Sequence, residues 1–202
     1  MDRIEGLKSD IEFVTALDDS YAINGLYLDD WVSGQIAENN IFVSNSKSAN
    51  NGLLAVGAFH SIKNNISANG VTGLAVSSRT TTVASSSMLQ EMMAFYDNMP
   101  EPFAPKYSHL SLIKTKTDEL GGIFATVGHT VTGNVSVAAP NRIADRVNEL
   151  STVDNNYESN DMSIFVDPEN HDWRVKADVA RELKFDEGVI TDENFSMDEI
   201  GI

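Results

Sequence analysis

The chain has no cysteine among its 202 residues, which excludes disulfides, thiol catalysis and zinc–thiolate sites. Basic residues are scarce. Fourteen Lys and Arg stand against 30 Asp and Glu, a formal net charge of -16. A surface this negative repels phosphate backbones and anionic membranes, so neither nucleic acid nor a membrane is expected as a partner. It suits neutral or cationic substrates, although excess acid also serves solubility alone. No apolar run approaches the roughly 20 residues that span a bilayer, and the opening MDRIEGLKSD lacks the apolar stretch of a signal peptide. The four histidines form no H-x-H or H-x-x-x-H pair, so no metal or cofactor is expected. Phosphate-binding loops and nucleophile elbows are missing too.

What the chain does have is strand-length apolar runs bounded by Asn, Gly and Ser: NGLYL (24–28), QIAENNIFV (35–43), GLLAVG (52–57), HSIKNNISA (60–68) and GLAVS (73–77). None keeps a helical i, i+3, i+4 pattern over a useful length. The runs also repeat. ENNI at 38–41 returns as KNNI at 63–66, 25 residues on; GLYL and GLLA start 27 apart, and GLLA and GLAV 21 apart. TGNVSV at 132–137 is a third echo. A period of 21 to 27 residues built from short strands and polar turns fits one coil of a parallel β-solenoid, in which equivalent strands pair from coil to coil. Asn at the recurrent turn (Asn39 and Asn40, Asn64 and Asn65, Asn134) fits a left-handed backbone position, and its amide can bond to the next coil. The leucine-rich frame L-x-x-L-x-L is absent.

Two stretches leave the pattern. SSSMLQEMMAFYDN (85–98) predicts a helix with Ser87 and Gln90 in capping-box spacing, its Met, Leu and Phe lying over the coil wall, and PEPFAP stops it. NRIADRVNEL (141–150) puts Ile143, Val147 and Leu150 on one helical face. The charged tail from FVDPENHDWRVK onward predicts a last strand or two and then a cap over the open end, where strand edges need cover. One domain is expected over 1–202, with coils near 23–84 and 120–175, the helical excursion at 85–98 and the cap at 176–202. Residues 1–22 hold little that would cap a coil. That predicts either the C-terminal part of a longer solenoid or a first coil covered by self-association.

In order along the chain stand GLYLDDWVSGQIAENNIFV, KNNI, the SSR that ends at Arg79, PFAPKYSHLSLI, GNVSV, and FVDPENHDWRVK with MDEIGI at the end. Over about residues 24–202 this set resembles the C-terminal half of bacterial right-handed parallel β-helix proteins of carbohydrate metabolism, glycoside hydrolases of the fucosidase and xylanase kind and their relatives. The resemblance implies an all-β, right-handed, single-stranded parallel β-helix, a polysaccharide or oligosaccharide partner, and an extracellular or periplasmic location. The sequence also departs from that family. Its D-x-R-G element falls on Ser77-Ser78-Arg79-Thr80, which keeps Arg79 and loses the acid and the glycine. Its G-G-R-D-N element reads Val56-Gly57-Ala58-Phe59-His60, and Ser108 replaces the proline of K-Y-P-x-L.

By this resemblance Asp29 and Asp30 are the candidate catalytic acids, with Trp31, Arg79 and His60 as candidate substrate-binding residues. Glycoside hydrolysis needs two carboxyl groups roughly 5 to 9.5 Å apart, and equivalent positions on neighbouring coils lie about 4.8 Å apart. One coil beyond the Asp pair fall Leu54 to Gly57, and two coils beyond falls Ser77. Neither supplies an acid. Each candidate also has a structural reading: the Asp pair as a solvated turn, Trp31 as a wall residue, His60 and Arg79 as partners of turn carbonyls. Asp18 and Asp19 with Asp29 and Asp30 would suit Ca²⁺ but lack a calcium-loop spacing. A calcium-dependent lyase would need a base such as Lys47 or Lys63 in a motif, and neither is in one. Two readings stand: a glycoside hydrolase-like domain with an incomplete acid pair, and a non-catalytic glycan-binding or structural β-solenoid of the surface or tailspike kind.

Overall fold

The computed structural model describes residues 11–13, 24–29, 32–44, 50–69, 71–77, 128–138, 151–184 and 188–196, together with Glu91, Ala94, Phe95, Asn98, Glu101 and the short helix α1 (Phe103–Lys106). It is an all-β structure of parallel sheets with little helix. After β1 (Ile11–Phe13) come β2 (Asn24–Leu28), β3 (Ile36–Glu38) and β4 (Ile41–Ser44), each in a different sheet. The same circuit is repeated by β5 (Asn50–Val56), β6 (Ser61–Lys63) and β7 (Ile66–Ala68), then by β8 (Val71–Ser77), β9 (Thr130–Thr132) and β10 (Val135–Val137). β11 (Thr152–Asp154) and β12 (Tyr157–Ser159) continue it. Sheet A is ordered β1-β4-β7-β10-β12, sheet B β2-β5-β8 and sheet C β11-β9-β6-β3.

The repeats in the sequence are the registers of these sheets. Glu38 pairs with Lys63 and Ile41 with Ile66, Leu26 with Leu53, and Leu53 with Leu74. The TGNVSV echo pairs Val135 with Ile66, a step of 69 residues rather than 25. The extra length lies between β8 and β9 and includes the expected helical excursion. There Glu91, Ala94 and Phe95 are helical and the Asn98 amide donates to the Ala94 carbonyl. Phe95 is 53% exposed, so it does not lie over the wall as expected; Met88, Leu89, Met92 and Met93 lie outside the described residues, as does the helix expected at 141–150.

Between sheets C and A the chain turns on a left-handed residue, Asn39, Asn64, Gly133 or Asn155. Glycine and asparagine take that conformation at low cost. The residue that follows points inward and builds a ladder. Asn40 donates its amide to Oδ1 of Asn65 at 2.8 Å, Asn65 to Asn134 at 2.9 Å, and Asn134 to Asn156 at 2.9 Å. The backbone N–H of each of the first three donates to the same oxygen of the next. The two jobs expected of one asparagine are therefore split between neighbours, and Asn134 takes the ladder position while Gly133 makes the turn.

Alternation along sheet A decides where the core sits. Phe42 packs with Ala37, Leu53, Ala55, Ile62 and Val131, between the three sheets. Ile41, Val43, Ile66, Ala68, Val135 and Val137 face the other way and pack against the C-terminal segment. That segment is a 3-10 turn, the antiparallel pair β13 (Phe165–Asp167) and β14 (Asp172–Val175), helix α2 (Ala177–Glu182), and residues 188–196. Trp173 meets Phe165 edge to face at 5.4 Å, and Asp172 and Arg174 form an ion pair at 2.6 Å. Burial opposes ionisation of Asp172; the Arg174 hydrogen bonds and charge outweigh it and hold the carboxyl below its usual range.

Among the described residues the tail packs against the outer face of sheet A from Met162 onward, and residues 197–202 of the expected cap lie outside them. At the last circuit Val153, inward by its pairing with Val131, is 45% exposed.

Candidate functional site

Two of the candidate residues, Asp29 and His60, stand where the chain passes from sheet B to sheet C. The turn is again left-handed, at Gly34, Phe59 and Gly128, and again a ladder residue follows. The Gln35 N–H donates to Nδ1 of His60 at 3.2 Å, the His60 N–H to Nδ1 of His129 at 3.2 Å, and the His129 N–H to Oγ of Ser151 at 3.0 Å. A ring nitrogen that accepts carries no proton, so both imidazoles hold theirs on Nε2. From there His60 donates to the Val56 carbonyl at 3.2 Å. His129 Nε2 is buried without a hydrogen-bond partner among the described residues.

The two rings stack with centroids 5.1 Å apart and planes 15° from parallel, and each residue is 1% exposed. Burial lowers the pKa of both. For His60 the bond to Val56 partly opposes this; for His129 burial and the charge of a protonated His60 bring it to about 4. His60 thus bonds to the last carbonyl of β5, inside the molecule.

Asp29 follows β2 directly, is half-buried, and accepts a backbone hydrogen bond from Val32 at 3.1 Å. Leu28 pairs with Ala55 and Val56 with Ser77, so the register line through Asp29 runs on to Val56 and then Ser77. No second carboxyl residue stands on that line. Asp30, Trp31 and Arg79 lie outside the described residues, as do Asp18, Asp19 and Lys47. Asp29 opens the passage from sheet B to sheet C.

That passage leads onto the outer face of sheet C. Two rows of side chains cross it by register: Ile36, Ser61, Thr130 and Thr152, then Glu38, Lys63, Thr132 and Asp154. All are exposed or half-exposed, and Ser61 donates to Glu38 at 3.3 Å. Successive positions in a row are about 4.8 Å apart. The face is therefore flat, regular and rich in hydroxyls, with one cation and two carboxylates in its second row. Sequence reasoning missed it, and also missed the histidine pair; the signal for the face was the 25-residue period carried to its register, and for the pair the match of HSIKNNISA (60–68) with HTVTGNVSV (129–137).

Among the described residues no group of three or more His, Asp or Glu could hold a metal ion, and no helix is long and apolar enough to cross a membrane. Compared with family models, with curated proteins and with solved structures, the chain matches none.

Proposed function

We propose that the chain is a right-handed parallel β-helix that binds an extended polysaccharide without cleaving it. The single observation that carries this reading is the register line Asp29, Val56, Ser77. A glycosidase needs a carboxyl pair, and this line offers one acid. Binding needs only hydrogen-bonding groups and a stacking surface. The outer face of sheet C supplies hydroxyls at strand spacing, and Asp29 stands just after β2, at the start of the passage from sheet B. Trp31 would stack on the apolar face of a sugar ring, with the acids and Arg79 bonding to its hydroxyls. The net charge of -16 favours neutral or amino-sugar polymers over polyuronates. The resemblance to exported β-helix proteins supports an extracellular or periplasmic site of action.

The test is a screen for sugar release from plant, algal and host glycans, with Asp29→Ala and Asp30→Ala alongside. No release from a folded sample is expected. Release that disappears in either variant would establish the rival reading, a glycoside hydrolase whose second acid comes from elsewhere in the chain.

A further inference from the structure

The stacked histidines sit at a joint between circuits. His60 belongs to the passage into β6 and His129 to the passage into β9, 69 residues apart. Each Nδ1 accepts the backbone N–H of the circuit before it, at Gln35 and at His60. An imidazolium has no acceptor nitrogen. Protonating one ring therefore breaks one inter-circuit hydrogen bond and leaves a buried N–H facing a donor. Protonating both also puts like charges face to face at 5.1 Å.

Among the described residues nothing packed on the pair compensates. The first circuit brings Ser33, Gly34 and Gln35; β5 ends on the Val56 carbonyl; Phe59 lies over Gly128; and the last circuit brings Ser151. None of these groups is titratable. Glu38, Lys63 and Asp154 stand at the far ends of β3, β6 and β11, on the outer face of the sheet. Among the described residues no carboxylate bonds to either ring, and none of them offers a counter-ion to a proton arriving there.

We propose that His60 and His129 form an acid-sensitive joint of the stack, which holds neighbouring circuits together while both rings are neutral and loosens when they take up protons. The direction follows from linkage. A histidine that binds its proton more weakly folded than unfolded supports folding fully above its unfolded pKa of about 6.5 and loses that support as pH falls toward its folded pKa. For His129, lowered to about 4, the window is pH 6.5 to 4. Between pH 7 and pH 5 this residue alone removes roughly twentyfold from the folding equilibrium constant.

The experiment is an NMR titration of the histidine rings in the full chain, with urea unfolding at pH 7 and pH 5 for the unaltered protein and for His60→Asn with His129→Asn. Asparagine keeps an acceptor near the Nδ1 position and does not titrate. The expected results are a His129 midpoint near 4, a His60 midpoint below 6.5, and a loss of stability on acidification smaller in the double variant by about the factor above. Midpoints of about 6.5 for both rings, or the same loss in both proteins, would overturn the proposal. If the double variant does not fold, amide exchange in the unaltered protein decides. Protection of the Gln35 and His60 N–H groups must fall at least tenfold between pH 7 and pH 5, and unchanged protection would overturn it.

Discussion

The side-chain amide of Asn65 donates to Oδ1 of Asn134, 69 residues further along, at 2.9 Å. Its second proton goes to the Ala37 carbonyl at 3.0 Å, and its own Oδ1 accepts the backbone N–H and a side-chain N–H of Asn40. One buried side chain thus joins three successive circuits. Asn65→Ala leaves those partners unpaired, at roughly 1 to 3 kcal/mol for a buried group so stranded. The expected loss is about 2–4 kcal/mol, read by urea unfolding at pH 7. Asn65→Asp should cost at least as much, because a carboxylate meets the Ala37 carbonyl and the Asn134 oxygen with no proton to give. A loss below about 0.5 kcal/mol for either would mean the ladder is not a principal tie between circuits.

Gly128 and Phe59 make the second relationship. Gly128 has φ of +69°, where an L side chain is strained by about 1–2 kcal/mol, and a Cβ added there would run into the Phe59 ring. Gly128→Ala should cost about 2 kcal/mol or more, seen as a lower melting temperature. Adding Phe59→Ala removes the collision and leaves the backbone strain, so the two changes together should cost less than the sum of each alone. Strict additivity would show that the ring does not obstruct that position.

Trp173 ties the C-terminal segment to the outer face of sheet A and is 9% exposed. Trp173→Ala should cost about 3–5 kcal/mol. It should also uncover the apolar row of Ile41, Val43, Ile66 and Val135, which raises binding of a hydrophobic dye before the sheets unfold. A variant that loses little stability and binds no dye would show that the segment does not depend on this residue.

The fold was legible where one residue type had one job. The GLYL, GLLA and GLAV starts and the ENNI and KNNI turns name their own partners, because strands that pair in parallel from circuit to circuit must bury the same positions. Val153 keeps the register with Val131 but not its burial, since it is 45% exposed at the last circuit. The tail was not legible in the same way. Ile41 and Val43 look like ordinary strand residues, and nothing local shows that the face they form needs a cover, which Trp173, Val175 and Ile190 provide from far along the chain. The histidine pair was hidden for a similar reason. His60 and His129 are 69 residues apart, and the insertion between β8 and β9 breaks the period that would have aligned them. Asn65 and Asn134 also begin glycosylation sequons, a pattern that chance supplies in so Asn- and Ser-rich a chain; their amides are buried in the ladder.

The most direct measurement is migration of the native protein through gels that contain soluble polysaccharides, neutral, amino-sugar and polyuronate in turn, with Trp31→Ala and Thr132→Ala run beside it. Retardation by a neutral or amino-sugar polymer, weakened in both variants and accompanied by no sugar release, is the predicted result. Unretarded migration through every polymer, or retardation that both variants keep in full, would contradict a polysaccharide-binding β-helix that uses this face.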